Sequence, residues 1–439
     1  MFVSKRTLFF KSERNGYLLF SGNSNSLYQI EDELVPAIQR MIEKGDTSQL
    51  PEDVEKEFRK SGIILFEDDE EFLHRMYLKS MIARFRKGDL TLTIAPTLAC
   101  NFKCTYCYEG ERAQGGNMDD NVIKGLVNFA KKGEYKKVHI VWYGGEPLLA
   151  FDIIKKINDE FDKEGIELAP QSAVTNGSLL TTDILQYAID RKFSYMQITI
   201  DGDEVTHNAH RPMKNGENSY QTILHKLDNA YEYLKTTNQS FLFSIRVNVD
   251  ENTCDLYPDV VKTLKSRYSS MVSCYPAFIE KPNDAECHHD NCMVSADQAG
   301  FILKLARERG IQLTQTYPLS NRLLNCAALK LDNFVISPTG DMYKCWEDIG
   351  ILDYSVGNVT SSSYDKNNTT FKYLLTASGY ENEECRKCLF LFSCAGGCPK
   401  KRLTNLQKKI VLNPVCSVIK NAPEQFIESY FELKNRAAL

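Results

Sequence analysis

Cys100, Cys104 and Cys107 fall within eight residues of one another in "CNFKCTYC", directly after the apolar run "LTLTIAP". Thiolates are soft donors suited to zinc or to iron–sulfur clusters. A structural zinc site asks for four ligands, and no further His or Cys follows at a suitable spacing in the next thirty residues. Three thiolates can instead hold three corners of a 4Fe–4S cube and leave the fourth iron open to a substrate. A second group stands near the C-terminus: Cys326, Cys345, then Cys385-x2-Cys388-x5-Cys394-x3-Cys398, and Cys416. These seven cysteines exceed one tetrahedral site and fall one short of two, so two clusters sharing them is the natural arithmetic. Cys287 and Cys292 in "CHHDNC" either supply a further ligand or, with His288 and His289, belong to a solvated loop. Cys254 and Cys274 lie within or beside regular elements and read as small buried hydrophobes.

These residues need elements that bring them to one place. From Leu90 onward strand-like and helix-like runs alternate: "LTLTIAP", "NVIKGLVNFAKKG", "KKVHIVWYGG", "LLAFDIIKKINDEF", "SAVTNG", "TTDILQYAIDRK", "YMQITIDG", "YQTILHKLDNAYEYLK", "FLFSIRVNV", "LYPDVVKTLKSRY", "MVSCYPAFI". Six strands with intervening helices predict a parallel sheet of the α/β class, a partial (β/α)6 TIM-like barrel over residues 89–310. In such sheets chemistry sits beyond the C-terminal strand ends. The cysteine loop ends the first strand, "YGGEP" the second, "TNG" the third and "TIDG" the fourth, so four ends present small, polar or sulfur residues to one mouth. Gly144 and Gly145 would let backbone carbonyls approach a bound ammonium, and Glu146 adds a charge partner.

Residues 1–88 form a different unit. Short β-rich runs "RTLFFK", "GYLLFS" and "LYQI" precede helical patterns in "EDELVPAIQRMIEKG" and "PEDVEKEFRKSGI", the second opened by Pro51 at an early helical position. This predicts a small winged-helix-like α+β module. Residues 311–439 are poor in long periodic segments and rich in cysteine, as expected where sulfur ligation replaces a large core.

At 439 residues with 43% hydrophobic content, the chain is expected to form two or three domains. A formal charge of −5 gives no sign of a nucleic-acid-binding surface, and no apolar run approaches membrane-spanning length. The opening "MFVSKRTLFFKSERNG" lacks an apolar signal core, so a cytoplasmic location is expected. There the 14 cysteines should stay reduced, which favours metal binding over disulfides.

The loop "CNFKCTYC" with "GGEP" on the next strand resembles the radical S-adenosylmethionine (SAM) enzymes over about residues 90–280. The resemblance implies that Cys100, Cys104 and Cys107 bind a 4Fe–4S cluster whose open iron is chelated by SAM. One-electron reduction then cleaves SAM to methionine and a hydrogen-abstracting 5′-deoxyadenosyl radical. It places Tyr106 against adenine, Gly144, Gly145 and Glu146 at the methionine amine, and Asn176, Thr199 and Arg211 at ribose or carboxylate. The C-terminal order resembles the SPASM extension, which carries two auxiliary 4Fe–4S clusters. That pattern assigns Cys326, Cys345 and Cys398 to the nearer one, and Cys385, Cys388, Cys394 and Cys416 to the farther. The first module resembles the precursor-recognition element of enzymes that modify ribosomally made peptides, where a leader segment adds a strand to a sheet edge.

The function expected from these features is a peptide maturase that installs a crosslink on a precursor peptide, served by a low-potential donor such as flavodoxin or ferredoxin. The alternative is an anaerobic sulfatase-maturing enzyme forming formylglycine. Such enzymes carry Asp after the second SPASM cysteine, whereas Cys345 is followed by Trp346, with Glu347 and Asp348 beyond. No catalytic base is assigned. A reading from another class is a non-catalytic iron–sulfur scaffold that binds a peptide.

Overall fold

The computed structural model describes residues 1–110, 116–280, 292, 295–309, 322–361, 368–408 and 415–437. Cys287, His288 and His289 lie outside the described residues. The chain divides into two compact units: Met1–Arg86 with Ser295–Lys330 and Tyr373–Leu439, and Lys87–Val294 with Leu331–Lys372.

In the first unit, β1 (Phe2–Val3) will pair with a later strand, while β2 (Thr7–Lys11), β3 (Tyr17–Ser21) and β4 (Leu27–Ile30) form an antiparallel sheet. The central strand β3 is the buried one, and β2 and β4 are the edges. Helices Val35–Lys44 and Glu52–Lys60 follow, then β5 (Ile64–Leu65), the antiparallel partner of β1. Leu19, Ile38, Met41, Phe58 and Ile63 make the core beneath them. Pro51 sits at the N-cap of its helix rather than inside it, in the extended conformation its ring favours.

Helix Asp69–Phe85 follows, without an amphipathic pattern that would mark it in the sequence. Its apolar residues do not share one face: Leu73 and Met76 are buried while Leu78 and Ile82 are exposed. The helix is started instead by a capping box, Asp68 accepting from the Glu71 N–H and the Glu71 carboxylate accepting in return. Its buried face carries Arg84, which donates to the Leu374 carbonyl at 2.8 Å and pairs with Glu381 at 2.7 Å. The N-terminal module and the cysteine-rich C-terminal segment therefore share one unit, with Phe72 edge-on to Phe392 and Phe20 against Phe390.

The second unit is built on the expected parallel sheet. β6 (Leu90–Ile94), β7 (Val138–Trp142), β8 (Ser172–Thr175), β9 (Tyr195–Thr199), β10 (Phe243–Val249) and β11 (Val272–Phe278) lie side by side in chain order, all parallel. Helices Asp120–Lys132, Phe151–Lys163, Thr182–Asp190, Ser219–Thr237 and Tyr257–Tyr268 connect them. Three of these, and the short helix Glu204–His210, begin at Asp, Thr or Asn side chains that accept from the first turn. This is the partial (β/α)6 barrel sheet.

The sheet does not stop at β6. Strand β12 (Asn333–Ile336) pairs with it in parallel, from Asn333 opposite Thr91 to Ile336 opposite Ile94. β13 (Asp341–Tyr343) and β14 (Gly357–Asn358) then continue antiparallel. Four-residue and shorter strands give too little alternation to be read from sequence. Among the described residues no helix is long and apolar enough to cross a membrane.

Candidate active site

The cysteine loop leaves β6 and is stitched to the segment after helix Glu204–His210. The Lys103 N–H donates to the Pro212 carbonyl at 2.9 Å, Thr105 N–H to His210 at 3.0 Å, and Lys214 N–H to Asn101 at 2.9 Å. Backbone bonds, rather than the cysteines alone, thus shape the loop. Arg211 lies over the Phe102 ring at 5.7 Å. Burial pushes the Cys100 thiol up to about 11, with the Glu146 charge adding to it, and burial raises Cys104 as well. Thiols raised in this way are protonated near neutral pH and each releases a proton on ligation.

The two glycines after β7 are required by crowding. A Cβ on Gly144 would stand 2.4 Å from the Thr97 carbonyl oxygen, and Gly144 has φ of +109°. A Cβ on Gly145 would meet the carbonyl oxygens of Leu98 and Ala99, each at 2.4 Å. The turn therefore packs directly beneath the start of the cysteine loop, with the Glu146 N–H donating to the Ala99 carbonyl at 2.9 Å.

Glu146 is wholly buried and ties β7 to β8. Its carboxylate accepts from Leu148 N–H at 3.0 Å, Thr175 Oγ1 at 2.7 Å and Asn176 N–H at 2.6 Å. Burial raises its pKa and these three bonds oppose the shift. A carboxylate has about four lone-pair sites, so one acceptor direction is left for a cationic donor. The Asn176 side chain donates to Asn101 Oδ1 at 2.8 Å and stands 4.0 Å from Cys100 Sγ, while its oxygen accepts from Ser178. Its first task is to pin the cysteine loop to the end of β8.

Tyr106 enters a polar network at the ends of β9 and β10. Its hydroxyl is bonded to Asp201 and accepts from Arg211 Nη1 and Asn248 Nδ2, both at 2.8 Å. Asp201 also accepts from the Asn248 N–H at 3.0 Å, and its own N–H donates to His207 Nδ1 at 3.1 Å. Burial raises the phenol well above its ordinary value, so it remains a donor to the carboxylate. Burial would lower Arg211, but Cys104, Tyr106 and Asp201 outweigh it and hold the guanidinium charged. Thr199, buried at the end of β9, pairs with Arg246 in the sheet. Asn101, Asp201 and Asn248 lie within the quoted "CNFKCTYC", "TIDG" and "FLFSIRVNV" without a spacing that marks them, and His207 has no local signal.

Beside the loop, Tyr108 is hydrogen-bonded to Tyr143 through their hydroxyls, and the Tyr143 ring lies 5.3 Å from Trp346, itself 48% exposed. Glu109 is buried, and its charge with that of Glu347 raises Tyr108 beyond the effect of burial. Cys345, next to Trp346, is buried in this second unit; Cys326 and Cys398 belong to the first.

In the first unit Cys385, Cys388, Cys394 and Cys416 line one cavity of about 770 Å³ with Arg402 and Lys420. Among the described residues no three His, Cys, Asp or Glu side chains stand close enough to grip a single metal ion. A cluster, which gives each thiolate its own iron, asks for a wider spacing than one ion does.

Residues 94–256 match the family model of the Radical SAM superfamily. Residues 94–256 therefore carry a radical SAM domain on the fold described above, and such a domain implies SAM and a 4Fe–4S cluster. Among curated proteins it is 24% identical over 364 residues to a cysteine-type anaerobic sulfatase-maturating enzyme of Clostridium perfringens, covering 75% of this chain and 94% of that one. It is 23% identical over 300 residues to the radical SAM cyclopropyl synthase TigE of Paramaledivibacter caminithermalis. That match spans 61% of each chain. Among solved structures, native anSMEcpe with bound AdoMet and Cp18Cys peptide superposes with a TM-score of 0.62 at 20% identity, covering 80% of this chain and 99% of the other. Streptococcus suis SuiB bound to precursor peptide SuiA gives 0.53 at 15% identity, covering 95% and 99%.

Proposed function

We propose that this enzyme is a peptide maturase that abstracts hydrogen from a ribosomally made precursor and installs a crosslink. The observation that carries the reading is the reach of the SuiB likeness. At 95% coverage it includes most of Met1–Arg86, the module with two edge strands on which a leader segment could add a strand.

In this reading Cys100, Cys104 and Cys107 hold the SAM-binding cluster. Three thiols on one loop tied by backbone bonds, Cys100 and Cys104 half-buried and Cys107 exposed, fit that group. Bound there, cluster and SAM supply a carbon radical able to abstract hydrogen. The protein's own work is positional. Gly144 and Gly145 allow the turn to close under the loop, and Glu146 offers its remaining lone pair to the methionine ammonium. Arg211 and Asp201 hold Tyr106, and with it the loop, in one place, while Asn176 and Thr199 line the third and fourth strand ends. Cys385, Cys388, Cys394 and Cys416 hold the farther auxiliary cluster. By the SPASM order Cys326, Cys345 and Cys398 go to the nearer one, which either Cys287 or Cys292 completes or whose open iron meets a substrate group. A low-potential donor such as flavodoxin or ferredoxin would supply the electron, and clusters held by the C-terminal cysteines would offer a place for the one released when a substrate radical is oxidised.

The second reading is formylglycine formation, favoured by the match to 94% of the sulfatase-maturating enzyme. Against it, Trp346 follows Cys345, its ring tilted at 32° to that of Tyr143, so the position offers no carboxylate. Anaerobic reconstitution should load about twelve irons, four per cluster, and a strong reductant should then release 5′-deoxyadenosine; a loaded protein that releases none is a scaffold. Inspecting the neighbouring genes for a short leader-bearing reading frame or a sulfatase, co-expressing whichever is found, and analysing the product by mass and carbonyl capture separates the two enzyme readings. A crosslink and an aldehyde made from Ser both remove two hydrogens. The alternative is therefore supported only by a product that a hydrazide captures as an aldehyde, and the maturase by a two-hydrogen loss with no such capture and with fragmentation blocked between the joined residues.

A further inference from the structure

The cavity of four cysteines holds a buried cation that the ligand pattern does not call for. Arg402, on helix Pro399–Lys408, is 9% exposed, yet its Nη2 donates to the Gly396 carbonyl at 2.6 Å and reaches Cys385 Sγ at 3.3 Å. Its Nε is buried without a hydrogen-bond partner among the described residues. The carbonyl that anchors it is itself fixed. Gly396 and Gly397 have φ of +100° and +72°, and a Cβ on Gly397 would stand 1.9 Å from the Val415 carbonyl oxygen. That turn admits only glycine, and it aims a backbone acceptor at the guanidinium. The guanidinium fork is thereby held against one sulfur rather than left free to swing to solvent. The other cation, Lys420, places Nζ 3.9 Å from Cys416 Sγ on an exposed chain, where water and salt screen it.

Resting on the reading of these four cysteines as one cluster's ligands, we propose that Arg402 is the positioning residue that sets this cluster's reduction potential. Four thiolates give the cluster a net negative charge, and reduction adds another. A buried cation donating to a ligand sulfur stabilises the reduced form more than the oxidised one, and so raises the potential. Arg402 thus biases the cluster towards accepting an electron, and being buried it does so with little dependence on ionic strength.

The test uses the full chain, anaerobically reconstituted, with iron analysis and a redox titration followed by electron paramagnetic resonance. The Cys385→Ser, Cys388→Ser double variant first identifies the signal. Full iron and all signals in that variant would remove the reading of the ligand set on which the proposal rests. Arg402→Met is expected to keep wild-type iron while that one signal moves to more negative potential, and Arg402→Lys to recover part of the shift. If Met costs iron, Arg402→Gln, which keeps a donor for the Gly396 carbonyl without the charge, should be loaded and shifted in the same direction. An unchanged potential in a fully loaded Met or Gln variant overturns the proposal. So does iron loss in all three variants, which would make Arg402 a packing residue.

Discussion

Gly145 shows how little freedom single positions near the cysteine loop have. A methyl group there meets two carbonyl oxygens that are themselves fixed by the loop, so neither side can yield cheaply. Gly145→Ala should cost about 1–3 kcal/mol, the usual range for overpacking, seen as a lower urea midpoint and as reduced iron at the first cluster. Both tryptophans, Trp142 and Trp346, lie in this unit, so fluorescence reports its unfolding. Tyr106→Phe removes the phenol from three polar partners, two of them charged, and should cost about 1–3 kcal/mol for the groups left unsatisfied. His207 gives a pH signature. Burial holds its pKa well below the ordinary 6.5, so below that pH the unfolded chain takes up a proton that the folded one refuses. Stability present above 6.5 should therefore fall on acidification, by about 1.4 kcal/mol per pH unit for one proton. Urea midpoints at pH 7 and 5.5 should differ accordingly, and His207→Gln should flatten the difference.

Strands and helices act here by where they end. β7 and β8 are tied not by a long ladder, since only two residue pairs register, but by Glu146 reaching from one strand end to the other. Glu146→Gln puts an amide N–H where at least one of three donors now points. The expected loss is about 1–3 kcal/mol, and 5′-deoxyadenosine formation should fall while the C-terminal clusters stay loaded. On the opposite flank, β12 continues the sheet past β6 with Ile336 fully buried. Ile336→Ala should cost about 2–5 kcal/mol by the cavity it leaves, as read by the same fluorescence midpoint.

Across the molecule, chain order and packing order part company. Met1–Arg86 belongs with Tyr373–Leu439, through Arg84 to Glu381, Arg6 over Phe392 and Ser12 to Glu428. Removing residues 1–86 therefore strips the cysteine-rich segment of its core, besides deleting the sheet that would receive a peptide. The truncated protein should lose iron from the C-terminal sites and approach about four per chain, measured by iron analysis after reconstitution. Retention of about twelve irons would show that the segment holds its clusters unaided.

Local features were legible in the residues alone. Cysteine spacing is set by the span of one loop, and strand–helix alternation by burial over five to fifteen positions, so the six-stranded sheet and both cysteine groups could be read before folding. The partners that give these features their geometry come from far along the chain. Tyr106 meets Asn248, Asn101 meets Asn176, Arg84 meets Glu381, and β12 joins β6 across more than two hundred residues. No periodicity encodes such pairings, because each depends on which surfaces remain to be buried once the sheet and the N-terminal module exist. The cysteine spacing is thus written in sequence, while the loop's anchorage, the buried cation beside Cys385 and the shared core of the two chain ends arise only when distant segments pack.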